Sequence, residues 1–153
     1  MYELVLIVHS WVRWFALIAG VIATVSALSS RSFGDARDNR ADKWGLLLMI
    51  ALDLQLLLGL LLYLVLSPTT RAIFSDFGGA MRDPVARFWA VEHVTTMILA
   101  VAIAHVGRVL ARRAKTARAQ RLRSAICFGL ATILMIAGTP WPGFRAGRPL
   151  FRV

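Results

Sequence analysis

Apolar residues in this chain come in long blocks separated by short polar stretches, with neither strict alternation nor a heptad rhythm. Four blocks stand out: 4–28, 44–66, 84–110 and 124–139. Each is close to the roughly 20 residues that an α-helix needs to cross the hydrocarbon core of a bilayer. Pro84 suits a helix start, because a first-turn residue needs no amide hydrogen. Ser67-Pro68 ends the second block, and Pro140-Trp141-Pro142 follows the fourth. The first block has no basic leader and carries Arg13 within it, so it reads as a retained helix, although the small residues around Ser26–Ser30 imitate a cleavage site. The pattern predicts an all-α integral membrane protein. It is a single transmembrane domain over 1–153, arranged as an antiparallel up-down-up-down four-helix bundle.

Composition agrees with lipid-solvated helices, since 58% of the 153 residues are hydrophobic. The formal net charge of +10 would suggest nucleic acid in a soluble protein. Here the basic residues flank apolar blocks and no nucleic-acid module is present, so topology explains them better. The first connection holds Arg31, Arg37, Arg40 and Lys43 beside three aspartates. The third holds Arg108, Arg112, Arg113, Lys115, Arg118, Arg121 and Arg123 with no acid. Positive charge collects on the cytoplasmic side, which predicts a multi-pass protein of the bacterial inner membrane with N- and C-termini outside. Arg145, Arg148 and Arg152 oppose this assignment but are outnumbered. Trp44 marks the inner interface, and Trp11, Trp89 and Trp141 the outer one. In the connection from Ser67 to Asp83, helix-like spacing of Ile73, Phe74, Phe77 and Met81 predicts either an amphipathic helix on the membrane or a cap over the bundle.

Ionisable groups within the spans are costly and mark candidate sites. Counted at 1.5 Å per residue, Arg13 stands roughly 25 Å above the inner end of its helix, and His9 about a turn higher. His93 and Glu92 stand roughly 22 and 24 Å above theirs. His9, Arg13, Glu92 and His93 therefore converge on one outer layer, from helices diagonal in a square bundle. One reading makes His9 and His93 the two axial ligands of a haem b, with Arg13 on a propionate. The other makes Arg13 and Glu92 a buried ion pair, with both histidines hydrogen-bonded. Asp53, near the midplane, is read as protonated, as part of a proton path or, by preference, as a partner of Arg13. His105 is read as an interfacial histidine, because no other histidine shares its level for a second haem. Lone Cys127 can form no internal disulfide and cannot alone hold a cluster. Hydrolase, kinase and zinc-enzyme motifs are absent.

The chain resembles small four-helix bacterial membrane proteins loosely labelled cytochrome-b-like. The resemblance rests on His9-Ser10-x-x-Arg13-Trp14, on Gln55-Leu56-Leu57-Leu58-Gly59-Leu60 with Tyr63, on Arg87-Phe88 followed by Glu92-His93, and on Pro140-Trp141-Pro142. It implies a site at the layer just described. The expected function is electron transfer through haem b, or interaction with a quinone. Glu92 would then serve as proton acceptor or counter-ion of Arg13. The alternative is a cofactor-free accessory subunit of a respiratory or other larger membrane complex, in contact with the lipid bilayer and with no nucleic acid.

Overall fold

The computed structural model describes residues 1–29 and 40–152, and its regular elements are all helices, with no strand among the described residues. Helix α1 covers Tyr2–Ser29 and α2 covers Arg40–Leu61, running on through a π-helical turn at Leu62–Leu66. Two short helices follow, α3 at Pro68–Ser75 and α4 at Phe77–Ala80. Then α5, Pro84–Arg87, passes through a second π-helical turn, Phe88–Glu92, into α6, His93–Arg112, and α7 spans Ala117–Gly138. Four stretches are long and apolar enough to cross a membrane: Tyr2–Ser29, Arg40–Leu66, Pro84–Arg112 and Ala117–Gly138. The four apolar blocks fall on them. The last helix begins seven residues before its apolar block. Thr116 caps it by accepting from the Ala119 amide at 3.2 Å, and Arg123 donates to the Leu110 carbonyl at 2.8 Å. Hydropathy registers where lipid begins, whereas the cap decides where the helix begins. Arg31, Arg37 and Ser30 lie outside the described residues.

Helix α1 packs on α2 and α7, and α6 packs on α7 and α2, so α1 and α6 take opposite corners of a ring. Alanine fills the interior. Ala16, Ala19 and Ala23 of α1, Ala100 and Ala104 of α6, and Ala131 of α7 are at most 1% exposed. Large aliphatic side chains point outward instead, as at Ile18, Leu57 and Ile133. This distribution follows from a lipid surround. Where the solvent is as apolar as leucine, helices gain by letting backbones approach over small residues. Among large side chains, Phe128, Leu48 and Leu52 are the ones fully enclosed.

Serine and aspartate set the short helices. Ser67 accepts from the Thr70 amide, Asp76 from Gly79 and Asp83 from Ala86, with Pro68 and Pro84 in first-turn positions. Ile73 is buried against Ala80 and Ala90, with Met81 and Trp89 beside it, while Phe74 and Phe77 remain about half exposed. The connection is thus a cap through Ile73 and presents an apolar face through the two phenylalanines. The C-terminal segment folds back over the His9 end of α1. Trp11 donates to the Arg152 carbonyl at 3.0 Å, Trp14 donates to the Leu150 carbonyl at 3.0 Å, and Phe151 stacks on Trp14. At the other end, Arg108 makes a forked ion pair with Asp42 at 3.1–3.2 Å.

Candidate functional site

A cavity of about 160 Å³ opens between the helices at the His9 end. Helix α1 contributes His9, Arg13 and Leu17, spaced four apart and therefore on one face, with Ser10 beside them. Helix α2 supplies Leu52, Gln55, Leu56 and Gly59. The two π-helical turns supply Tyr63 and Trp89, α6 supplies His93, Met97 and Val101, and the C-terminal segment supplies Arg148 and Arg152. His9, Arg13 and His93 are thus brought to one site. The two imidazoles lie within Coulombic range of each other and of Arg13.

The local geometry of each histidine is specific. His93 Nδ1 sits 2.7 Å from the Gly138 carbonyl, which can only accept, so Nδ1 carries the proton and Nε2 keeps its lone pair. The ring is flanked by Trp89 and Phe88, with centroids at 5.6 and 5.8 Å. His9 Nε2 is 3.2 Å from the Gln55 side-chain amide, and its Nδ1 is buried without a partner. Gly59 makes room for this ring, since a Cβ there would stand 3.2 Å from His9 Cε1. What packs on this glycine is an imidazole.

The π-helical turns bear directly on the site. Tyr63 in the first donates to the Ala90 carbonyl in the second at 2.5 Å. Each turn inserts one residue into its helix, a feature that often marks functional positions. Here the insertions tie α2 to α6 beside the cavity and orient Tyr63 and Trp89 toward it.

Glu92 is placed elsewhere. Its carboxylate accepts from Arg87 Nε at 2.7 Å, and both side chains are about half exposed. The anticipated Arg13–Glu92 pair is therefore replaced by Arg87–Glu92. The wider π-helical turn brings residues five apart onto one side. Glu92, one step around the helix from the inward His93, turns out. Arg13 instead donates to the Leu150 carbonyl at 2.6 Å and lies 5.2 Å from the Trp14 ring centroid. Asp53 also differs from expectation, pairing with His105 Nε2 at 3.3 Å rather than with Arg13. A midplane Asp53 and an interfacial His105 would stand at different levels if the helices began level with one another. The Asp53–His105 pair itself sets the lower part of α6 opposite the middle of α2. His105 Nδ1 lies 3.0 Å from the Val101 carbonyl, so both of its nitrogens are engaged.

Four buried side-chain polar atoms lack a hydrogen-bond partner among the described residues: His9 Nδ1, Arg13 Nε, Gln55 Oε1 and Trp89 Nε1. All four residues line this cavity. An unsatisfied buried polar atom typically costs about 1–3 kcal/mol, so their concentration at one place points to a ligand that meets them. Trp89, Arg148 and Arg152 were not legible as site residues. Trp89 showed in the sequence only as an interfacial tryptophan, and Arg148 and Arg152 only as arginines opposing the charge-based topology. Among the described residues, no three His, Cys, Asp or Glu side chains gather as a bare metal ion would require. The chemistry on offer is therefore a histidine pair, an arginine cluster and an apolar wall. No protein-family model, curated protein or solved structure matches the chain.

Proposed function

We propose that this is a b-type haem protein of the bacterial inner membrane, its four spans forming an antiparallel bundle with both termini outside. The observation that carries the reading is the set of unpartnered buried polar atoms around a cavity containing two histidines. A haem would be held by His9 and His93 and would supply one-electron transfer. Each histidine has one nitrogen engaged, His93 by the Gly138 carbonyl and His9 by Gln55, and one left over. Such fixing of one ring nitrogen orients a ligating histidine and sets its tautomer. Leu52, Leu56, Met97 and Val101 exclude water from the centre of the cavity, and Arg13 offers a cation at its edge. Protein purified from haem-replete cells should show a Soret band and sharp α and β bands after dithionite reduction. A colourless, well-folded preparation overturns the haem reading.

Topology has its own test. Both termini outside follows from the basic connection between α6 and α7, which the positive-inside rule keeps cytoplasmic. A C-terminal alkaline phosphatase fusion should be active, and a C-terminal green fluorescent protein fusion dark. The reverse pattern inverts the assignment.

One observation favours a second reading, an accessory subunit of a larger membrane complex. Asp53 and His105 pair on the outside of the bundle, with side chains 53% and 37% exposed, among lipid-type side chains such as Ile50 and Leu57. Charge facing hydrocarbon is costly, and a neighbouring subunit would cover it. The colourless outcome above selects this reading.

A further inference from the structure

Three guanidinium groups, Arg13, Arg148 and Arg152, line the cavity, and no carboxylate does so among the described residues. The described acids are occupied elsewhere or lie outside. Asp42 pairs with Arg108, Asp53 with His105 and Glu92 with Arg87; Asp76 and Asp83 cap helices; Glu3 is exposed in the first turn of α1. Arg13 has a backbone carbonyl for one nitrogen and nothing for its buried Nε. Arg148 rests against the Trp89 ring at 5.2 Å. Clustered cations without a counter-charge repel one another, so the arrangement calls for an anion.

The placement of Arg148 and Arg152 does not depend on their own charges. The segment carrying them is fastened by backbone carbonyls of Leu150 and Arg152, which accept from Arg13, Trp14 and Trp11, and by Phe151 on Trp14. The Arg148 amide also donates to the Pro140 carbonyl at 3.0 Å. Deeper in the cavity the walls are apolar, at Leu52, Leu56, Met97 and Val101.

We infer that the C-terminal segment, together with Arg13, forms an anion-binding mouth that takes the carboxylate end of an amphiphilic ligand whose apolar body lies between the helices. Guanidinium suits this role because its planar fork donates two parallel hydrogen bonds to a carboxylate. Two sources share that chemistry, a porphyrin dicarboxylate and a fatty acid. The inference extends the haem reading of the same cavity but does not require iron or histidine ligation.

The test uses the full chain in a neutral maltoside detergent, with tryptophan fluorescence quenching as the readout. The probes are iron-free protoporphyrin IX and its dimethyl ester, and palmitate and its methyl ester. At least one free acid should bind tenfold or more tightly than its ester, a preference of about 1.4 kcal/mol. The double variant Arg148→Gln/Arg152→Gln should lose the preference while its helix content and ester affinity stay unchanged. Arg145→Gln, exposed in the same segment and outside the cavity lining, should retain it. A preference for the porphyrin acid alone identifies a dicarboxylate site, and a preference for palmitate alone a lipid-acid site; either supports the mouth. Equal binding of acid and ester for both pairs, or a preference surviving in the double variant, overturns it. Because the probes carry no iron, a colourless purified protein sinks the haem reading without touching this result.

Discussion

Replacing His93 by alanine is expected to abolish the reduced α and β bands of the purified protein, and His9→Ala should do the same. His105→Ala should leave them intact. The three histidines differ in what their nitrogens already do. His105 has both engaged, Nε2 with Asp53 and Nδ1 with the Val101 carbonyl, on the outside of the bundle. His93 is anchored by Nδ1 and has its other nitrogen uncommitted within a lined cavity. His9 has one nitrogen at Gln55 and one buried without a partner. Removing either cavity histidine leaves a space the size of an imidazole, so millimolar free imidazole should restore part of the signal in His93→Ala. Gln55→Leu should weaken rather than remove the bands, since it would loosen the orientation of His9 while leaving the ring in place; loss of a partner that orients a ligand commonly costs about 10–100-fold in affinity. Bands that persist unchanged in His93→Ala, or that vanish in a well-folded His105→Ala, would assign the haem to other residues.

How far the sequence reached depended on whether the signal was local. The helical spans were legible because lipid imposes long apolar blocks, and Pro84 and Ser67-Pro68 fixed two boundaries through chemistry within a few residues. His9, Arg13 and His93 were placed on one layer by counting rise per residue, and the cavity contains all three. Counting failed for Glu92 and Asp53. It assumed straight, regular helices starting level with one another, whereas π-helical turns interrupt two of them and Asp53 in the middle of α2 meets His105 in the lower part of α6. No residue pattern announces such a turn, because one inserted residue changes the register without changing hydropathy. The C-terminal segment was equally opaque. Its seat on Trp11, Arg13 and Trp14 joins residues about 140 positions apart through backbone carbonyls, whose partners no side-chain pattern encodes.

Phe128→Ala is expected to cost about 3–5 kcal/mol of stability, the range for truncating an enclosed aromatic side chain. The ring of Phe128 is 2% exposed and belongs to the core that joins all four long helices. It lies on the bare backbone of Gly45 in α2. A Cβ at Gly45 would stand 2.5 Å from the ring Cζ and 2.7 Å from Cε2, closer than packed carbons tolerate. Most other interior positions are alanine, with no long side chain to swing into the vacancy, so the site should relax little. The same contact makes Gly45→Ala destabilising on its own, by about 1–3 kcal/mol through overpacking. The two changes should not add. Once the ring is gone, the new methyl group has space, and alanine is the better helix former by about 0.5–1 kcal/mol. Gly45→Ala should therefore change sign in the Phe128→Ala background, from destabilising to mildly stabilising. Unfolding of the four proteins in one detergent, followed by circular dichroism, measures the cycle. Losses that simply sum would mean the ring and the glycine are energetically independent, and that α7 is held against α2 by something other than this contact.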